Sequence, residues 1–150
     1  MKKTKLSIAL FIIMLFTALA CTACVDKNVV DGAKLIENTQ KLVVIEATET
    51  GGSLEDALKS FSQAGNIELE GSTNEFGFFI TSINGYAPDA SKNEFWAIYS
   101  SLGEYEGVSY SNAEYGTYEY NGVTYASASY GVSGMPLIKG EIYILTISTF

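Results

Sequence analysis

Past residue 40, the chain repeats its apolar side chains at helical spacing in one place only, and this limits what it can fold into. In Ser53–Gly65, SLEDALKSFSQAG, the residues Leu54, Ala57, Leu58 and Phe61 stand at i, i+3, i+4 and i+7. That spacing predicts a single apolar helix face. Ser53 is the predicted N-cap, with Glu55 in the first turn and Asp56 placed as in a capping box. Gly65 is a natural stop. The rest reads as strand. Leu42–Ile45 is apolar and mostly β-branched, continues in a more polar vein to Glu49, and meets a Gly51-Gly52 turn. Ile67–Glu70 alternates, Phe76–Ile83 is apolar and ends in Asn84-Gly85, Phe95–Tyr99 is a short apolar run, and Ile142–Ile147 is the last strand. Pro88 and Pro136 fall in predicted loops. One helix among many strands predicts an α+β fold, a mixed sheet with that helix packed on it.

The densest aromatic stretch is Tyr115–Gly131, YGTYEYNGVTYASASYG, with five tyrosines. Asn121-Gly122 at its centre is a strong hairpin signal, because a type I′ turn needs positive φ at both central positions. Such a turn pairs Tyr120 with Val123 and Tyr118 with Tyr125. The pleat then puts Tyr118, Tyr120, Val123 and Tyr125 on one face, and Thr117, Glu119, Thr124 and Ala126 on the other. Two readings of the tyrosine face stand open. It packs on the rest of the sheet, or it is a platform for a flat or amphipathic ligand, a role suited to tyrosine.

The first five residues, MKKTK, form a basic segment, and Leu6–Ala20 is an apolar run of about fifteen residues. This is short for a membrane span, which needs about twenty, and suits a secretory leader over residues 1–20. The run ends in Ala20-Cys21-Thr22-Ala23-Cys24. A small residue followed by cysteine after such a run resembles the lipobox of bacterial lipoproteins. The resemblance implies diacylglycerol on a cysteine that becomes the mature N-terminus, at Cys21 or alternatively at Cys24. Residues 21–40 are then the lipidated N-terminus and a weakly patterned tether, and residues 41–150 the domain. The expected location is the outer face of a bacterial membrane.

Composition excludes whole classes of chemistry. The chain has no His and no Arg, and its formal net charge is −8. Without Lys2, Lys3 and Lys5 of the leader, the remainder falls to about −11. An acidic chain without Arg is a poor binder of phosphate or nucleic acid, so no nucleic-acid partner is expected. Without His there is no Ser-His-Asp triad, no Cys-His dyad and no imidazole ligand. Cys21 and Cys24 alone leave a metal under-coordinated, and no metal site is expected. Pro88–Glu94, PDASKNE, carries oxygen ligands but lacks EF-hand spacing and reads as an Asx-type turn. Glu104, Glu106, Glu114 and Glu119 read as a solvated rim. No catalytic residues are expected.

An ordered set of segments carries a family resemblance. GGSLEDALKS after a strand, then FGFFITSINGYAP, then EFWAIYSS, then LIKGE before the last strand, resembles the transcobalamin C-terminal-like domain. That domain occurs in bacterial surface lipoproteins and in animal cobalamin carriers, and the resemblance covers about residues 41–150. Ile80–Gly85 and the Phe95-Trp96 pair are its more specific parts. The family is related to soluble-ligand-binding β-grasp domains, so the resemblance implies a β-grasp-like fold. It also implies a corrinoid as a possible ligand, with no resident cofactor. Together these readings predict a lipid-anchored binding module presenting Trp96, Tyr118, Tyr120 and Tyr125 to a small ligand. The alternative is a non-catalytic surface adhesion or protein-interaction module whose aromatics are core.

Overall fold

A computed structural model describes residues 27–150, so the leader, Cys21 and Cys24 lie outside the described residues. The elements in chain order are β1 (Val29–Val30), β2 (Ala33–Asn38), β3 (Leu42–Ala47), α1 (Leu54–Gln63), β4 (Leu69–Asn74) and β5 (Gly77–Ile83). A 3₁₀ turn at Ala90–Lys92 leads into β6 (Glu94–Ser100). Then follow β7 (Glu104–Tyr105), β8 (Val108–Ser109), β9 (Ser111–Tyr120), β10 (Val123–Ala128) and β11 (Ile142–Thr149). The fold is α+β, with a seven-stranded sheet in the order β1-β2-β3-β11-β6-β10-β9 and two separate hairpins, β4-β5 and β7-β8.

Helix α1 forms where the apolar spacing places it. Ser53 Oγ accepts the Asp56 N–H at 3.2 Å and Asp56 Oδ2 accepts the Ser53 N–H at 2.9 Å, a reciprocal cap. Gly65, at φ +75°, follows the helix end. Leu54, Ala57, Leu58 and Phe61 are buried against Val43, Ile45, Tyr143 and Leu145, which share one face of the sheet.

Among the described residues, the opposite face is covered without a second helix. Val44, Ala97, Tyr99 and Ile144 form a second apolar layer there, and Tyr118, Tyr120 and Tyr125 pack on it. The turn at Asn121 (φ +50°) and Gly122 (φ +76°) sets the register Tyr120↔Val123 and Tyr118↔Tyr125, as its sequence predicts. β10 pairs with β6 only at Ala126↔Ser100 and Ser127↔Tyr99. Beyond that contact the hairpin crosses the sheet, and the Tyr120 hydroxyl donates to Glu37 Oε2 of β2 at 2.9 Å.

Two expectations are corrected. The sheet is not mixed: every strand pair among the described residues is antiparallel. Purely parallel packing needs helices over both faces; here one face has α1 and the other has tyrosines. Nor does the ordered fold begin at Lys41. β2 lies inside the stretch read as tether, pairs with β3, and buries Ala33 and Leu35 in the core. Its alternation is hidden by a bulge: the register shifts between Leu35 and Glu37, leaving Ile36 exposed.

Candidate functional site

The seven-stranded sheet has a gap. β10 and its hairpin turn away from β6, so the segment Glu94–Ala97 has β11 on one side and, among the described residues, no strand on the other. β5 belongs to the separate β4-β5 hairpin and likewise has, among the described residues, no strand on its outer side. Between the two lies a groove of about 600 Å³. Phe78–Thr81 of β5 wall one side, Glu94–Trp96 and Ile98 of β6 wall the other, and Val132 and Phe150 complete it. Successive residues of each strand, whose side chains point to opposite faces, line the groove together. Trp96 and Ile98 pack toward the helix side and Phe95 toward the tyrosine side, so the groove follows a strand edge and does not lie on a face.

The walls are held in place by identifiable bonds. The Phe78 N–H donates to Ser133 Oγ at 2.7 Å, and Ser133 Oγ donates to Glu55 Oε2 at 2.5 Å. Glu55 also pairs with Lys59 one turn on. The hydrogen bonds from Lys59 and then Ser133 hold the Glu55 carboxyl below its ordinary range. Gly77 fits this approach, since a Cβ there would stand 2.4 Å from Ser133 Oγ, and its φ is +108°. At the other end of β5, Asn84 (φ +51°) accepts the Glu68 N–H and donates to Asn38 Oδ1 and the Thr39 carbonyl. The Ile80–Gly85 segment therefore tethers the β4-β5 hairpin to the β2-β3 turn.

The groove is apolar, with an aromatic rim. Phe79 is 62% exposed and Phe150 is 91% exposed, the latter stacked on Phe95 at 4.6 Å. Trp96 meets Tyr86 edge-on at 6.5 Å, and its Nε1 is buried with no hydrogen-bond partner among the described residues. A buried donor left unmet costs about 1–3 kcal/mol. Glu94, the carboxylate at the groove, accepts from the Tyr86 hydroxyl at 2.6 Å and the Asp89 N–H at 3.0 Å. The Tyr86 bond above all holds its pKa below the usual value. Glu94 is thus an ionised structural acceptor, poorly suited to deliver a proton at neutral pH.

Residues 51–101 match the family model of a domain of unknown function, DUF4430. The match spans about a third of the chain and includes α1, the β4-β5 hairpin and β6, hence both long walls of the groove. No curated protein and no solved structure matches the chain.

The four candidate site residues do not form one site. Trp96, within the DUF4430 segment, stands in the groove wall. Tyr118, Tyr120 and Tyr125 share a face as expected, but that face is the second apolar layer across the sheet from Trp96. Tyr125 is only 8% exposed, and Tyr118 stacks on Tyr99 at 5.4 Å. The hairpin folds its aromatic side onto Val44 and Ile144, burying Tyr125 and leaving Tyr118 and Tyr120 partly buried. In Pro88–Glu94, Asp89 is an Asx-type turn residue. Its carboxylate accepts from the Ser91 hydroxyl and N–H and pairs with Lys92, the Ser91 bond contributing most to lowering its pKa to about 2. The groove residues Phe78, Phe79, Ile80 and Ile98 were not singled out as site residues. Their one local signal is Phe78-Phe79-Ile80, three consecutive large apolar residues in a strand where alternation is the norm.

Proposed function

We propose that this protein is a non-catalytic binding module on the outer face of a bacterial membrane, anchored by lipid at Cys21 or Cys24. Its binding site in this reading is the β5-β6 groove. The observation that carries it is an apolar cleft of about 600 Å³, within the roughly 300–1,000 Å³ typical of ligand sites, rimmed by the exposed rings of Phe79 and Phe150. The resemblance to transcobalamin C-terminal-like domains, with its β-grasp-like relation, supports a flat amphipathic ligand such as a corrinoid. The chain has no imidazole for cobalt, so such a ligand is held here by apolar contact and by an acceptor offered to Trp96 Nε1 if the ring shifts. Titration of cyanocobalamin by calorimetry, with the fluorescence of Trp96 as a second readout, tests this reading. Saturable heat with a Kd tighter than about 1 mM, which is about 4 kcal/mol, is expected, and Ile98→Glu should weaken it at least tenfold. A flat calorimetric trace removes the corrinoid version. The second reading, a protein-interaction module, is favoured by the unpaired edges of β5 and β6.

A further inference from the structure

The strand registers and the bonds at their ends show which way the main chain faces at the groove. The Phe150 N–H donates to the Asn93 carbonyl and the Ser101 N–H to the Ile142 carbonyl, at the two ends of the β6-β11 ladder. In an antiparallel pair the hydrogen-bonded positions alternate. Phe95, Ala97 and Tyr99 therefore address β11, while Glu94, Trp96, Ile98 and Ser100 address the other side. There the Glu94 N–H donates to Asp89 O, and Ser100 lies opposite Ala126 of β10. The register Ser127↔Tyr99, with Tyr99 bonded to β11, sets the Ala128 N–H against the Ile98 carbonyl, so among the described residues it is Trp96 and the Ile98 N–H that have no strand opposite them on this side. On β5, the Phe78 N–H points away from β4, to Ser133 Oγ. By the same alternation Ile80 also turns its main chain outward, toward the groove.

We infer that the groove is a slot for an added β-strand, an extended segment of a partner polypeptide that hydrogen-bonds the N–H and carbonyl of Trp96 and the N–H of Ile98 and faces Ile80 across the cleft. This rests on the reading of the groove as the binding site and names its ligand. An open strand edge is a template for pairing, and strand addition takes its affinity from main-chain bonds and its selectivity from pockets for alternate side chains. Here Phe78, Ile80, Trp96 and Ile98 supply an apolar pocket lining on the helix side. With the Glu94 N–H bonded to Asp89 and the Ile98 carbonyl set against Ala128, the open edge is centred on Trp96, so the occupant pairs over about three residues, about 10 Å of extended chain at about 3.3 Å per residue, with apolar side chains alternating. The chain has a net charge of −8 and no Arg, which selects a segment that is neutral or flanked by basic residues.

The test uses the full-length protein in detergent and a displayed library of short peptides with apolar residues at alternate positions. Enriched peptides are synthesised unmodified, and with alternate backbone amides N-methylated in each of the two registers. The expected result is saturable binding, a loss of at least tenfold in one N-methylated register, and slowed amide exchange at Trp96 and Ile98 in the complex. No enrichment overturns the proposal. So does equal binding of both N-methylated forms, which shows capture by side chains alone and leaves the small-ligand reading standing. Enriched peptides that bind Ile98→Glu as well as the unaltered protein sink the groove itself as the site. Concentration-dependent dimerisation that protects the same amides without peptide overturns the partner in favour of a second copy.

Discussion

Tyr143 is fully buried on β11, and its hydroxyl donates to the Pro136 carbonyl at 2.6 Å and accepts from the Ile138 N–H at 3.1 Å. Burial, opposed by the Ile138 bond and helped by Glu141, pushes its pKa up to about 12. The protonated form is favoured in the folded state, so this residue's contribution to stability is complete below the unfolded value of about 10. It is lost as pH rises from there through about 12. Tyr143→Phe should cost about 1–3 kcal/mol near neutral pH, because the Ile138 N–H and Pro136 carbonyl lose their partner. It should also flatten the fall in stability above about pH 10. Urea unfolding across pH, with the tyrosinate absorbance followed in parallel, checks both; an unchanged alkaline slope would assign it to other groups. At the acid end the sign reverses. Glu55 and Asp56 have lowered pKa values, through bonds from Lys59 and Ser133 and from Ser53 respectively. Their contributions are present above the ordinary carboxylate range and fade as pH falls through their folded values.

Among the elements, α1 shows most directly how one stripe of side chains secures the sheet. Leu58 is fully buried in its centre. Leu58→Ala should destabilise the protein by about 2–5 kcal/mol in denaturant unfolding, whereas a loss under about 0.5 kcal/mol is the mark of a surface position. This helix was legible because its period, its cap and its stop lie within thirteen consecutive residues, Ser53–Gly65. The β9-β10 register was legible for the same reason, since Asn121-Gly122 dictates it locally. What the tyrosines touch was not legible, because the bond from Tyr120 to Glu37 spans 83 positions. β2 was hidden by a bulge at Ile36 and by the smallness of inward-facing Ala33. The groove was the least readable feature. It exists because β10 abandons β6 after two paired positions, and no local pattern in either wall announces a missing neighbour. Trp96 could be picked out as the sole tryptophan, but not the edge on which it stands.

For the molecule as a whole, the early start of the sheet alters the expected relation to the membrane. β1 begins at Val29, about eight residues after Cys21, so a lipid there holds the sheet edge within about 28 Å of the acylated residue, even at full extension. Fatty-acid labelling should vanish in Cys21→Ala and persist in Cys24→Ala; the reverse pattern moves the anchor, and labelling in a variant lacking both cysteines removes it. β11, the strand latest in sequence, occupies the middle of the sheet between β3 and β6. The ribosome delivers a chain N-terminus first. Until residues 142–149 have emerged, β3 and β6 each present an unzipped apolar border, Val43–Ile45 and Trp96–Ile98, with no mate. The chain must therefore be kept from pairing with strangers until β11 is made, and a break in the chain before residue 142 leaves two unjoined half-sheets for proteases and chaperones to sort.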